Sequence, residues 1–365
     1  MNLTKVLIVG GYGTVGSQIA KILHDRHPTL ELLLGGRSAG KSLPFASTRL
    51  KPFLLDISKS DPLAHAPDDL TLIISAVNDP DDTLLLAAVR RRIPLIDVTR
   101  WTERFTRSIE RLKNENIDSP VILASGWMGG TVALLASIHA ASLQDVQIHL
   151  HALYSLQDKA GPDSTDYMDR MTIPFAVTTP TGVKEVTPLS DPLPVIFPNG
   201  YHAKCYRLDT PDHMTLVKAQ NVTAADFRIG FDNKLSTFAL VSLVKSRIWN
   251  LLSKSTRQKI LYNPGAGSPH HVVIQINGRN QHGMNMKRKV EITDPKGQTH
   301  LTALGAAIFA QPIIRQSENS TVTSGILFPE DFGHFEMTAD DILQFYRSEG
   351  VQIVIHDETK KSRTV

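Results

Sequence analysis

The residues with the most legible chemistry stand near the amino terminus. Gly11-Tyr12-Gly13-Thr14-Val15-Gly16 is a G-x-G-x-x-G run, set directly behind an apolar run at 6–9 and ahead of a helical pattern over 15–26. In such a run the first glycine permits a tight turn. The second lets the backbone approach a pyrophosphate, and the third lets the helix pack closely on the strand. The free N–H groups at the helix start then receive the diphosphate. Gly10, Gly11, Tyr12, Gly13, Thr14, Val15 and Gly16 are therefore the expected dinucleotide loop.

The end of the second strand selects the cofactor. An NAD enzyme places Asp or Glu there, about 20 residues past the loop, on the ribose 2′-hydroxyl. This chain reads Leu34-Gly35-Gly36-Arg37-Ser38, with Lys41 following and no acid. A guanidinium, a hydroxyl and an ammonium suit a 2′-phosphate, and the planar Arg fork can also cover the adenine face. NADP(H) is the expected cofactor, held by Arg37, Ser38 and Lys41. Three more strand ends fall on the same sheet edge: Asp56, the run Ala76-Val77-Asn78, and Thr99. Asp56 reads equally as an acceptor for the adenine amino group and as the cap of its own turn. Position outside the carboxyl ends of the strands, more than residue type, carries these assignments.

The elements that must hold these residues follow a strand–helix rhythm. Apolar runs at 6–9, 30–34, 53–55, 70–75, 95–98 and 121–123 lack alternation, as parallel strands buried on both faces do. Helical patterns at 15–26, 82–92 and 101–115 separate them, the signature of a doubly wound α/β Rossmann sheet. After Gly129-Gly130 the rhythm changes to a helix near 131–143 and longer strands at 147–156, 203–208, 272–276 and 289–292. An α+β second domain on a mixed sheet is expected, with an amphipathic segment 235–252 and a helix 300–311 covering it or serving a homodimer. The expected boundaries are 1–128 with 323–365 for the dinucleotide domain, and 129–322 for an inserted substrate and dimerisation domain.

Composition sets outer limits. The 365 residues are 41% hydrophobic and 21% charged, enough for two domains with cores. A net charge of +3 without a concentrated basic stripe argues against nucleic acid as partner and suits an anionic small molecule. The single cysteine, Cys205, excludes an intrachain disulfide, and the chain has no 18-residue apolar stretch. A cytoplasmic location without membrane association is expected. His270-His271 lacks a third ligand at metal-like spacing, so no metal is expected.

The loop sequence from Val9 to Gly16 and the Gly36-Arg37 turn resemble the saccharopine dehydrogenase (saccharopine reductase) family. So do Ala152-Leu153-Tyr154-Ser155-Leu156-Gln157-Asp158 with Gly161, and Ser324-Gly325-Ile326-Leu327-Phe328-Pro329-Glu330. The resemblance implies a Rossmann domain completed by carboxyl-terminal segments and an inserted mixed-sheet domain over the nicotinamide. It also implies reversible NAD(P)H reduction of an imine formed between an amine and a keto acid. One segment departs. Lysine-pathway members resemble Gly-hydrophobic-Asp-Pro-Gly after the sixth strand, where this chain has Gly126-Trp127-Met128-Gly129-Gly130. That departure points to a substrate other than saccharopine, still a carboxylate-bearing amine or imine.

Hydride transfer to an imine asks the protein for geometry, a proton source and a cation for the carboxylate. Asp158, beside Gly161, and the strand residues His202 and Lys204 are the candidate catalytic groups. Trp127, Met128 and Tyr154 are the candidate substrate wall. Alternation puts His202, Lys204 and Tyr206 on one strand face and Tyr201, Ala203 and Cys205 on the other. Two other functions keep the same cofactor: a carbonyl or enoyl reductase, and a non-catalytic NADP(H) sensor. A missing Tyr-x-x-x-Lys pair argues against short-chain carbonyl reductases, and a sensor would bind NADPH without consuming it.

Overall fold

A computed structural model describes residues 4–38, 42–158, 170–253, 255–257, 265–315 and 322–360. Lys41 and Gly161 lie outside them. The chain divides into two compact units, Met1–Thr131 with Thr299–Ile342, and Val132–Gln298 with Leu343–Val365.

In the first unit, strands β1 (Thr4–Val9), β2 (Leu30–Gly36), β3 (Leu50–Leu54), β4 (Leu70–Ser75), β5 (Leu95–Asp97) and β6 (Pro120–Leu123) form a parallel sheet. Helices α1 (Thr14–Arg26), α2 (Thr83–Arg90) and α3 (Thr102–Leu112) connect them. The spatial order is β15-β6-β5-β4-β1-β2-β3, with β15 (Gly325–Leu327) added late in the chain. The order reverses between β1 and β4, the switch point at which open α/β sheets bind ligands. Val6, Leu7, Ile8, Leu72, Ile73, Ile74, Leu95 and Ile96 are fully buried, as the unbroken apolar runs require. The third run departs from that expectation. β3 is the sheet edge and Leu54 is 63% exposed, with no further strand beyond it among the described residues.

The second unit is built on a mixed sheet in the order β10-β11-β12-β7-β13-β14-β16. Its strands are β7 (Gln144–Tyr154), the hairpin β8 (Phe175–Thr179) and β9 (Gly182–Val186), β10 (Leu193–Ile196), β11 (His202–Arg207), β12 (Val222–Phe231), β13 (His270–Arg279), β14 (Asn285–Asp294) and β16 (Gln352–Lys360). Its helices include α4 (Thr131–Ala140), α5 (Asp212–Thr215) and α6 (Lys234–Lys245). Of the later helices, α7 (Gln298–Arg315) belongs to the first unit from Thr299 onward, and α8 (Ala339–Ser348) passes from the first unit into the second after Ile342. The expected division differs from this one at its carboxyl end. β16 pairs with β14 along nine residues, so the final strand completes the second sheet and not the first, while Thr299–Ile342 joins the first unit. The expected helix over 235–252 is also shorter. Arg247 adopts φ 62° and a 3-10 turn, Ile248–Leu251, follows.

β12 carries charge into the sheet. Asp226 receives hydrogen bonds from Arg207 (2.8 Å) and Arg228, and pairs with His149 Nδ1 at 2.8 Å. Burial pushes its carboxyl up, but His149 and the two guanidinium groups outweigh it and bring the pKa to about 2. Burial lowers His151 to about 4, and burial with Arg288 nearby lowers His139 to about 4, both from 6.5. Each histidine stays neutral in the folded chain and protonates first in the unfolded one. Their stabilisation is therefore complete above pH 6.5 and is lost as pH falls towards 4. The loss is on the order of 3 kcal/mol per histidine. The melting temperature should hold from pH 8 to 7 and drop across that window, and His151→Leu should flatten the drop. An unchanged slope in the variant would remove His151 from the account.

Candidate functional site at the carboxyl edge of the parallel sheet

The loop between β1 and α1 is shaped by close contacts at three glycines and by a single, longer one at a fourth. Gly10, at φ 82°, takes the left-handed conformation in the turn that the spacing assigned to Gly11, and its N–H donates to the Gly35 carbonyl at 3.0 Å. A Cβ on Gly10 would lie 2.5 Å from Val77 Cγ1, and one on Gly11 would lie 2.8 Å from Leu34 Cδ2. A Cβ on Gly16 would come within 2.2 Å of the Gly10 carbonyl oxygen, so helix and strand touch through backbone there, as expected. Gly13 differs: among the described residues the one neighbour its Cβ would meet is the Gly10 oxygen, at 3.1 Å. Space stays open over the exposed start of α1, where Gly13 is the N-cap with no side-chain cap and no acid lies in the first turn. The first N–H groups of a helix have no intrahelical acceptor, so Thr14, Val15 and Gly16 present donors and a partial positive charge. A diphosphate fits that cradle.

Tyr12 closes one side. Its ring lies against Gly36, whose Cβ would meet Tyr12 Cδ2 at 3.2 Å. Its hydroxyl is buried without a hydrogen-bond partner among the described residues, and burial raises its pKa. Beyond Gly36, Arg37 and Ser38 are exposed at the end of β2, and Lys41 lies outside the described residues. Asp56 caps its own turn, with Oδ1 accepting from Ser58 N (3.0 Å) and Ser58 Oγ (2.8 Å). Those two bonds hold its carboxyl below the usual range, with Lys59 and Arg37 adding smaller attractions.

The next strand ends rest on a buried ionic cluster that sequence reasoning missed. Arg100 is wholly buried among Asp97 (Oδ2 at 3.0 Å), Asp82 and Asp79 (3.7 Å). Asp82 also receives Ser108 Oγ at 2.7 Å and Arg111 Nη1 at 3.0 Å. Asp79 accepts from the N–H groups of Thr83, Leu84 and Leu85, at 3.0–3.2 Å, and thereby caps α2. Burial raises its pKa while Arg100 opposes the rise. The Thr99 hydroxyl donates to the Val77 carbonyl at 2.8 Å, so it ties the β5 end to the β4 end. Ala76 N donates to Val9 O at 3.0 Å, and the half-buried Asn78 receives a guanidinium N–H of Arg104. Each pairing joins residues far apart in sequence. The available signal was the density of Asp at 79, 81, 82 and 97 around the strand ends.

The loop after β6 is held by packing. Met128, Gly129 and Gly130 all have positive φ, at 55°, 63° and 76°. A Cβ on Gly129 would lie 2.6 Å from the Thr302 oxygen, and one on Gly305 would lie 2.3 Å from the Gly129 oxygen. Trp127 and Met128 are 7% and 9% exposed, so both are mainly core. In the second unit Tyr154 is also buried, edge-on to Phe231 at 6.0 Å. Asp158 is 2% exposed. Its Oδ2 accepts from Gln298 N at 2.9 Å at the start of α7, and His270 Nδ1 lies 3.6 Å away. That placement gives Asp158 a helix-capping task. His202 and Lys204 are exposed on β11, Ala203 and Cys205 are buried behind them, and burial pushes the Cys205 thiol up to about 12. Cys205 therefore sits in the core and is no nucleophile. Among the described residues no group of three or more His, Cys, Asp or Glu is placed to hold a metal ion, and no helix is long and apolar enough to cross a membrane.

This architecture is a Rossmann-like doubly wound parallel sheet in one unit and a mixed sheet in the other. Among solved structures the chain is similar to apo saccharopine dehydrogenase (L-Glu forming) from Saccharomyces cerevisiae. The match covers 98% of this chain and 100% of that one, at 13% identity and a TM-score of 0.68. A meso-DAPDH mutant with DAP from Clostridium tetani matches with a TM-score of 0.48 at 13% identity, over 93% and 98% of the two chains. No family model and no curated protein sequence matches the chain. The first likeness bears out the resemblance read from the loop and strand motifs at the level of fold.

Proposed function

We propose that this chain is an NADP(H)-dependent oxidoreductase that transfers hydride to or from a carbon–nitrogen bond. The observation that carries the reading is the open cradle over Gly13 at the uncapped start of α1. It is joined by Arg37 and Ser38, exposed at the end of β2 where an NAD enzyme has an acid. The bound nicotinamide supplies the hydride. The chain's own residues bind and orient. The first N–H groups of α1 hold the diphosphate, and Arg37 takes the 2′-phosphate through its planar fork. Asn78 donates at the β4 end. His202 and Lys204 are the proposed polar groups of the second unit for a carboxylate-bearing amine or imine, since both are exposed on one face of β11.

Calorimetric titration tests the cofactor assignment. NADPH should bind at least about tenfold tighter than NADH, near 1.4 kcal/mol, and Arg37→Asp should erase or reverse that ratio. Equal affinities in the wild type would overturn it. Turnover is tested by following NADPH oxidation with paired amines and 2-keto acids. NADPH binding with no consumption across such a panel would favour the sensor.

A further inference from the structure

Arg104 stands in the first turn of α3, only 2% exposed, with its guanidinium carbon 4.9 Å from the Trp101 ring centroid. One guanidinium N–H donates to Asn78 Oδ1 and another to the Asp79 carbonyl oxygen. From the other side, Thr99 Oγ1 donates to the Val77 carbonyl at 2.8 Å. The backbone carbonyls before and after Asn78 are thus both tied to the β5–α3 segment, and the side-chain oxygen is tied as well. A planar amide has one acceptor end and one donor end. With Oδ1 committed to the guanidinium, the orientation of the amide is fixed and its Nδ2 is turned away from Arg104. Asn78 follows β4, beside the switch point, where the glycine loop also lies.

We infer that Arg104 is a positioning residue for cofactor binding: it fixes the Asn78 amide so that Nδ2 donates to an oxygen of the bound dinucleotide, a ribose hydroxyl or a phosphate. The inference rests on the dinucleotide reading given above. Two anchors make the arrangement rigid before ligand arrives, so the donor need not be ordered on binding. The guanidinium is well suited to the task because it has donors and no acceptor, and so can hold only the oxygen end of the amide.

Asn78→Asp separates this role from a merely structural one. The aspartate keeps an oxygen for Arg104, and the pairing strengthens, but the donor is replaced by a negative charge facing the ligand's oxygens. NADPH affinity should fall at least about tenfold with the melting temperature unchanged or raised. Arg104→Met should weaken NADPH by a similar factor in the wild-type background and have no further effect in Asn78→Ala, while Arg104→Lys should restore part of the loss. Wild-type affinity in Asn78→Asp, or an Arg104→Met penalty that persists undiminished in Asn78→Ala, would overturn the inference. A wild-type protein that binds no dinucleotide would instead overturn the cofactor reading and this inference with it.

Discussion

Gly13→Val should lower NADPH affinity by at least about 100-fold while the protein melts as before. The side chain meets little of the protein: among the described residues a Cβ there would meet the Gly10 oxygen at 3.1 Å, a tight contact that a shift of a few tenths of an ångström relieves, against the far larger overlap at Gly16. It would occupy the space over the first turn of α1 that the diphosphate needs. Gly16→Ala provides the contrast. Its Cβ would fall 2.2 Å from the Gly10 oxygen and 2.9 Å from Gly11 Cα, both backbone atoms that cannot rotate away. That variant should lose about 3 kcal/mol of stability, the upper end of overpacking costs. Titration with NADPH and thermal melting of both variants check the pair. Full NADPH binding by Gly13→Val would show that the loop is only a structural turn.

Arg100→Met should destabilise the protein by about 3–5 kcal/mol, because it leaves buried carboxylates without their principal cation. Asp79, Asp82 and Asp97 are each 1% exposed or less, and Arg111, the other cation hydrogen-bonded to Asp82, is itself 40% exposed. The pH dependence identifies the cause. Burial already raises the Asp79 carboxyl and Arg100 opposes that rise, so without Arg100 it moves further above its unfolded value. The destabilisation is then largest at neutral pH and shrinks as the medium is acidified and Asp79 protonates. A deficit that is constant with pH would point to lost packing instead. Denaturant melts of wild type and variant at several pH values distinguish the two.

The parallel sheet was legible in the sequence because its central strands are uniformly apolar and its helices are amphipathic. The glycine spacing then located the loop. β12 was not legible. Its interior positions hold Asp226 and Arg228, charges that break an apolar run, and only strand pairing brings Arg207 and His149 to them, with Asp191 reaching Arg228 from the loop before β10. β10 was hidden by Pro194, which is tolerated because this strand lies at the sheet edge. Asp158 attracted a catalytic reading through its place before Gly161, whereas its carboxylate meets the start of α7, 140 residues on. The Arg100 and Arg104 pairings were invisible for the same reason. Single-residue chemistry can be read from sequence, but the partner that neutralises a buried charge is set by topology.

Cys205 is the sole thiol of the chain and is fully buried, in a core cluster with Leu153, Phe197 and Val273. A modifying reagent can reach it only when β11 parts from that core, so labelling kinetics become a clock for opening of the second sheet. With a single reactive position the mass spectrum of the labelled chain is binary, each molecule having opened or not. Followed with and without NADPH, that fraction would report whether occupancy of the first unit is felt in the second.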